Sequence, residues 1–190
     1  MTHQNKGVYL LYSMKNNIIL VDVDDVLANL VEEWLHVYNE LANDNITPNI
    51  VTDWDISNFV KPDWKSKIYE ILESHDLYNK VAPVKGALDG VKRLIAGGYR
   101  VVYVTAPIIE TAGSKYFWLQ KNGFPVTLEN YIEAKDKSLI FGHFMIDDGI
   151  HNIENTLASD QLLFTKPWNK DCEGYNRVNN WKEIMEWFGT

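Results

Sequence analysis

Asp22 and Asp24 stand two positions apart, directly after the apolar run Ile18-Ile19-Leu20-Val21. If the strand conformation persists through both, that spacing puts two carboxylates on one face. Such a pair can share one hard cation. Mg²⁺ suits the set, because it takes oxygen ligands and keeps waters that a substrate phosphate can displace. A second run, Val101-Val102-Tyr103-Val104, ends in the hydroxyl of Thr105, and a third, Phe144-Met145-Ile146, ends in Asp147-Asp148. Asp22 and Asp147, with one backbone carbonyl, would then suffice for the protein's share of an Mg²⁺ shell. Asp-x-Asp is also a common way to cap a helix, so the chemistry rests on the three sites in combination.

These groups meet only if the chain builds one sheet edge. Four consecutive apolar residues fit a strand buried on both faces of a parallel sheet, and α/β proteins bind ligands at the carboxyl ends of such strands. After the first strand, Leu30, Trp34, Tyr38 and Leu41 recur at helical spacing with Val31 and Leu35 beside them, which predicts an amphipathic helix. Residues 43 to 61 are rich in Asn, Asp, Thr and Pro and read as loop, and Pro62 to Leu72 reads as helical. Gly86 precedes a helix carrying Leu88, Val91, Leu94 and Ile95, and Gly97-Gly98 ends it. Thr111 to Asn122 reads as a helix closed by Gly123, and Gln161 to Phe164 as a short buried strand. Trp181, Ile184, Met185 and Phe188 form a last helix, with Asn180 as N-cap and Glu183 three residues on.

A βαβ crossover needs about 30 residues, and the interval from Asp22 to Thr105 exceeds that by roughly fifty. The predicted fold class is therefore α/β: a doubly wound, mostly parallel sheet with a small helical cap inserted after the first strand. The expected core is 1–28 with 81–190 and the expected cap is 29–80. Residues 1–16 are a tail or edge extension to which no function is assigned.

Among 190 residues, 46% are apolar and 23% charged, as in an ordinary globular chain. Eighteen Lys plus Arg against 26 Asp plus Glu leave a net charge of −8, which opposes binding to a nucleic-acid polymer but not to a small phosphate accompanied by a cation. A lone cysteine, Cys172, excludes an internal disulfide framework. The polar start carries no secretory pattern, and the run at Ile18 is too short to cross a membrane. The expected setting is cytoplasmic.

Four segments in order, Asp22-x-Asp24, Thr105, Lys137 within Lys135-Asp136-Lys137-Ser138, and Asp147-Asp148, resemble the four motifs of haloacid dehalogenase superfamily phosphotransferases. The resemblance implies a Rossmann-like core and an Mg²⁺-dependent phosphatase. Asp22 would be the nucleophile that becomes an aspartyl phosphate, and Asp24 the general acid and base whose backbone carbonyl, not its side chain, faces the metal. Thr105 and the amide of Ala106 would hold phosphoryl oxygens, and Lys137, preferred over Lys135, would neutralise phosphate and nucleophile. Asp147 would bind Mg²⁺, with Asp148 acting through water or orienting the other ligands. Dehalogenases of the superfamily lack a carboxylate at the place of Asp24, because halide leaves without a proton and an alkoxide does not.

Within the superfamily the chain is similar to the 5′(3′)-deoxyribonucleotidase family. The similar segments are Val21-Asp22-Val23-Asp24-Asp25-Val26-Leu27-Ala28, Pro83-Val84-Lys85-Gly86-Ala87-Leu88, Val104-Thr105-Ala106-Pro107, Asp136-Lys137-Ser138-Leu139-Ile140 through Asp148, and Leu163 through Asn169 with Arg177 through Trp181. The implied substrate is a nucleoside monophosphate, with Leu30, Trp54 and Tyr78 as cap residues facing it. A phosphatase for another small metabolite and a non-catalytic phosphate binder are the alternatives, and a homodimer is compatible with the sequence. Ala106 departs from the animal members, which carry Ser there, and Leu30 stands where an aromatic is expected.

Other residues have plainer readings. Trp34 and Tyr38 lie on the apolar stripe and read, with Phe59, as core, whereas base stacking and packing are both open for Trp54. His36, His75, His143 and His151 lack metal-ligand spacing. Glu32-Glu33 reads as a solvated helix face, Cys172 as an unreactive thiol beside Asp171 and Glu173, and Arg177 as an anchor for the C-terminal loop.

Overall fold

The computed structural model describes residues 17–190, so the N-terminal stretch 1–16 lies outside the described residues. Six strands, β1 (Ile18–Val21), β2 (Arg100–Thr105), β3 (Tyr131–Glu133), β4 (Phe144–Asp147), β5 (Asp160–Phe164) and β6 (Arg177–Val178), form one sheet in the order β3-β2-β1-β4-β5-β6. Every pairing is parallel. Among the described residues, six helices accompany them: α1 (Leu30–Ala42), α2 (Leu77–Lys80), α3 (Ala87–Ala96), α4 (Ser114–Lys121), α5 (Ile150–Asn155) and α6 (Trp181–Phe188).

The apolar strands are explained by burial on both faces. Ile19 and Val21, Val101 and Tyr103, Ile146, and Leu162 and Phe164 join one core, while the alternating Leu20, Val102, Val104, Met145 and Leu163 join another across the sheet. Strand order reverses direction at β1, whose neighbours are β2 and β4, and a crevice opens there at the carboxyl ends. The termini of β1, β2 and β4 are Val21, Thr105 and Asp147, so the acid and hydroxyl groups gather at that crevice.

The stretch between β1 and α3 is helical, holding α1, four short 3₁₀ turns (Pro48–Ile50, Ile56–Asn58, Pro62–Trp64 and Ile68–Glu73) and α2. Its buried Trp34, Ile56 and Ile68 belong to the same apolar cluster as Ile19 and Val21 of the sheet. The helix expected over Pro62 to Leu72 is thus two 3₁₀ pieces, and the one expected from Thr111 begins at Ser114, after Gly113 at φ 78°. Leu41, assigned to the apolar stripe of α1, is 63% exposed, and Tyr38 and Ala42 make the contact with the core at that end of the helix instead. Ile95, at the end of α3, is likewise exposed.

Asn180 caps α6 as its type and spacing require: its side chain accepts from the Glu183 amide at 3.0 Å, and the Glu183 carboxylate accepts from the Asn179 amide at 2.8 Å. Among the described residues, no helix is long and apolar enough to cross a membrane.

Candidate active site

Beyond β1 the chain keeps one more sheet bond, Asp22 N to Ile146 O at 3.0 Å, and then folds into a tight loop. The amides of Leu27 and Ala28 both return to the Val23 carbonyl, and Asp25 takes φ 57°, a left-handed conformation that Asp tolerates better than most residues. The Asp25 carboxylate accepts from the Val31 amide at 3.3 Å, capping the first turn of α1 where Asn29 supplies no side-chain bond. Lys166 lies 3.8 Å from the same carboxylate.

Asp22, Asp147 and Asp148 are buried, with carboxylate oxygens within 4.8 Å of one another. Lys137 Nζ is 2.7 Å from Asp22 Oδ1 and 2.7 Å from Asp147 Oδ2. Its 3₁₀ turn, Lys137–Leu139, is capped by Asp136, which accepts from the Ser138 amide at 3.0 Å. Asp22 Oδ1 also accepts from the Val23 amide at 2.7 Å, so the donors described for this carboxylate converge on one oxygen. Asp147 Oδ1 takes the Gly149 amide at 2.8 Å and Asn152 Nδ2 at 3.0 Å.

Three buried carboxylates with one lysine leave negative charge in excess. Burial pushes Asp22 well above the usual carboxylate range, with Lys137 opposing and Asp147 adding to the rise. Asp148 rises for the same reason, burial first and then its Asp147 and Asp22 neighbours. Burial would lower Lys137, but Asp147 and Asp22 outweigh it and hold the ammonium charged. A compact set of hard oxygen donors short of positive charge fits a divalent cation.

Asp24 does not point its side chain into this trio. Lys115 Nζ lies 2.6 Å from Asp24 Oδ2, and the Tyr78 hydroxyl donates to Asp24 Oδ1. The same Nζ donates to Thr105 Oγ1 at 2.9 Å and to the Ala106 carbonyl at 2.7 Å. Asp24 and Ala106 nevertheless line the same cavity of about 460 Å³ as Asp22, Lys137 and Asp148, whereas Thr105 is fully buried behind it. Its far wall is apolar and aromatic: Leu30, Val31, Trp34, Ile56, Tyr69 and Leu72.

The cap candidates separate here. Leu30 is in the wall, and Trp54 stands at the mouth, 58% exposed and edge-on to His151 with ring centroids 4.7 Å apart. Tyr78 does not line the cavity. It is buried, because α2 packs against α1 and α4, and its hydroxyl is turned to Asp24. Lys135, the competing lysine, is exposed on the rim. Arg177 anchors the loop after β5, donating to Asn169 Oδ1 at 3.1 Å and to the Asn169 carbonyl at 2.6 Å.

Lys115 lies outside the sequence motifs, and Trp168, though within the similar segment Leu163 through Asn169, has no role assigned by the sequence. Lys115 had a legible signal, since it shares a helical stripe with the buried Trp118 and Leu119 of α4, and a lysine on an apolar stripe needs acceptors. Trp168 follows a proline in a loop and carries no such periodic cue.

The profile of a family described as 5′ nucleotidase, deoxy (Pyrimidine), cytosolic type C protein matches residues 16–188. The chain belongs to this family. As a member of this 5′-nucleotidase family it is an enzyme, a hydrolase of the phosphatase class. It is 30% identical over 164 residues to a 5′(3′)-deoxyribonucleotidase of Clostridium acetobutylicum, covering 86% of this chain and 89% of that one. A 5′(3′)-deoxyribonucleotidase of Bacillus subtilis is 29% identical over 170 residues, 88% of this chain and 95% of its own. The human cytosolic-type 5′(3′)-deoxyribonucleotidase is 24% identical over 188 residues, 88% of this chain and 92% of its own. Among solved structures, a haloacid dehalogenase-like protein of Agrobacterium tumefaciens superposes with TM-score 0.63 at 12% identity, covering 92% of this chain and 98% of that one. A HAD-hydrolase of Bacillus subtilis, crystallised bound to magnesium, superposes with TM-score 0.57 at 16% identity, covering 93% of this chain and 100% of that one. The nucleotidase family member thus shares the haloacid dehalogenase fold.

Proposed function

We propose that this chain is an Mg²⁺-dependent phosphomonoester hydrolase for nucleoside monophosphates, 5′(3′)-deoxyribonucleotides in particular, working through an aspartyl phosphate on Asp22. The observation that carries the reading is Asp22 at the carboxyl end of β1, ion-paired to Lys137 and opening on a cavity shared with Asp24. Asp22, Asp147 and the Asp24 carbonyl would hold Mg²⁺, with Asp148 orienting the group directly or through water. Bound there, the ion would neutralise charge on the phosphoryl oxygens.

The steps follow from the side chains. One Asp22 oxygen attacks phosphorus as the bond to the ester oxygen breaks, and Asp24 gives its proton to that departing oxygen. Water then attacks phosphorus, Asp24 takes the water's proton, and the bond to Asp22 breaks to release inorganic phosphate. Lys137 offsets charge on nucleophile and phosphoryl group throughout, and the Ala106 amide donates to phosphoryl oxygens, with Thr105 supporting that edge from behind the cavity. With Ala106 in place of serine, the set has one side-chain donor fewer. The apolar wall from Leu30 to Leu72 supports a nucleoside as the leaving group, because it offers a base and sugar a dry surface beyond the charged floor.

The test is phosphate release from a panel of nucleoside monophosphates with Mg²⁺. Release from deoxyribonucleotides, abolished by Asp22→Asn, is expected; no release from any monophosphate ester would overturn the proposal.

A further inference from the structure

We propose that Lys115 and Tyr78 are positioning residues for the proton-transfer step, holding the Asp24 carboxyl in register with Thr105. The inference rests on the assignment of Asp24 as acid and base. Lys115 is 4% exposed and its Nζ meets three acceptors, Asp24 Oδ2, Thr105 Oγ1 and the Ala106 carbonyl. Burying an ammonium is costly unless it is fully paired, and on the stripe with Trp118 and Leu119 an apolar side chain would pack without that cost. What the lysine adds is a tie. It fixes the carboxyl that follows β1 to the hydroxyl that ends β2, so that the proton donor and the edge that binds phosphoryl oxygens move as one unit.

Tyr78 completes the grip at the other carboxylate oxygen. Its hydroxyl donates to Asp24 Oδ1 while its ring lies 5.9 Å from Lys115 Nζ. The two donors come from different places: α4 belongs to the sheet's own helices and α2 ends the insertion between β1 and α3. Asp24 is therefore held between sheet and insertion, and Tyr78 serves the acid instead of the nucleobase.

The share of that hold that acts through the acid has a distinct kinetic mark. A nucleoside alkoxide needs a proton to leave, whereas p-nitrophenolate leaves without one. In a single turnover, which reads transfer to Asp22 before Asp24 acts as base on water, removing the hold on Asp24 should slow release of the nucleoside and spare release of p-nitrophenol. Lys115→Met is expected to lower the single-turnover rate of nucleoside release from a deoxyribonucleotide by about ten- to hundredfold, part of the span that acid catalysis supplies. Its single-turnover release of p-nitrophenol should change less than about threefold, while steady turnover of both esters falls wherever hydrolysis of the aspartyl phosphate, which uses Asp24 as base, is limiting. Tyr78→Phe, which keeps the ring and drops the hydroxyl, should shift the same ratio in the same direction by a smaller factor, and it carries the test if Lys115→Met fails to fold. An equal fall of the two single-turnover rates, or an unchanged ratio of them in a folded variant, would overturn the proposal. A wild-type chain inert on nucleotides but active on glycerol phosphate and p-nitrophenyl phosphate would sink the nucleotide reading alone, and the ratio is then read between those two. A chain inert on all three would overturn both.

Discussion

Trp168 Nε1 donates to Asp148 Oδ2 at 2.9 Å, so an indole from the loop after β5 sets the orientation of a buried carboxylate at the end of β4. The loop is itself fixed, because Asn169 Nδ2 donates to the Asp148 and Phe164 carbonyls at 2.9 and 2.8 Å and Arg177 clamps Asn169. Partners behind a metal ligand tune affinity by about 10- to 100-fold. Trp168→Phe keeps the ring and removes the donor. It should raise the Mg²⁺ concentration for half-maximal activity by that factor and leave kcat at saturating Mg²⁺ close to wild type. An unchanged Mg²⁺ midpoint would refute the role given to Trp168.

Lys137 stands between Asp22 and Asp147 at 2.7 Å from each. Lys137→Met leaves two buried carboxylates facing each other, and breaking a buried pair from one side costs about 3–5 kcal/mol. Activity should fall by about 10²- to 10³-fold, the cost of deleting one donor to developing charge. Calorimetry with and without Mg²⁺ separates the two effects. A divalent cation should recover part of the lost Tm and none of the lost donor, so full recovery of kcat in excess Mg²⁺ would contradict this account.

The central strands were legible because β1, β2, β4 and β5 each carry consecutive apolar residues, the mark of burial on both faces. β3 and β6 were not, since three and two residues at the sheet's outer positions leave no apolar run to detect. Strand ends also explain why Asp22, Thr105 and Asp147 could be read as neighbours: parallel strands deliver their termini to one edge wherever the intervening chain goes. Tyr78 shows the limit. Its direction depends on how α2 packs on α1 and α4, a tertiary matter that spacing along the chain does not carry. The insertion's irregular turns, opened by Pro48 and Pro62, likewise leave no 3.6-residue period to follow.

The pH dependence of stability follows from the same acidic cluster. Burial raises Asp22 to about 7 against the opposing Lys137, and burial raises Asp25 to about 7 against Lys166. Folded-state values above the unfolded ones mean that the native chain holds protons the unfolded chain has released between about pH 4 and 7. The metal-free protein therefore gains stability as pH falls through that window and is least stable above it. A divalent cation supplies positive charge in place of those protons and competes with them. Thermal scans should show the Tm gain from Mg²⁺ largest near pH 8 and shrinking toward pH 5. A gain that grows on acidification would count against metal binding at Asp22, Asp147 and Asp148.

Remote packing also reaches the site through Trp181. Its Nε1 donates to the Val26 carbonyl at 2.9 Å, in the loop that carries Asp24 and Asp25, and its ring packs against Gly90 of α3. A Cβ at position 90 would meet Trp181 Cε3 at 2.3 Å, closer than any side chain tolerates, and both partners are buried. Gly90→Ala is favourable for a helix by intrinsic propensity, by about 1 kcal/mol. Overpacking opposes it with about 1–3 kcal/mol and wins, because the indole has no free space to enter without releasing Val26. The variant should melt lower by on the order of 5 °C for a chain of this size. It should also lose activity on nucleotides, as the loop holding Asp24 loses its indole donor. A double variant, Gly90→Ala with Trp181→Phe, vacates the space the Cβ needs; it should recover less activity than stability, since phenylalanine cannot restore the bond to Val26. Equal recovery of both would show that Trp181 acts on the core alone.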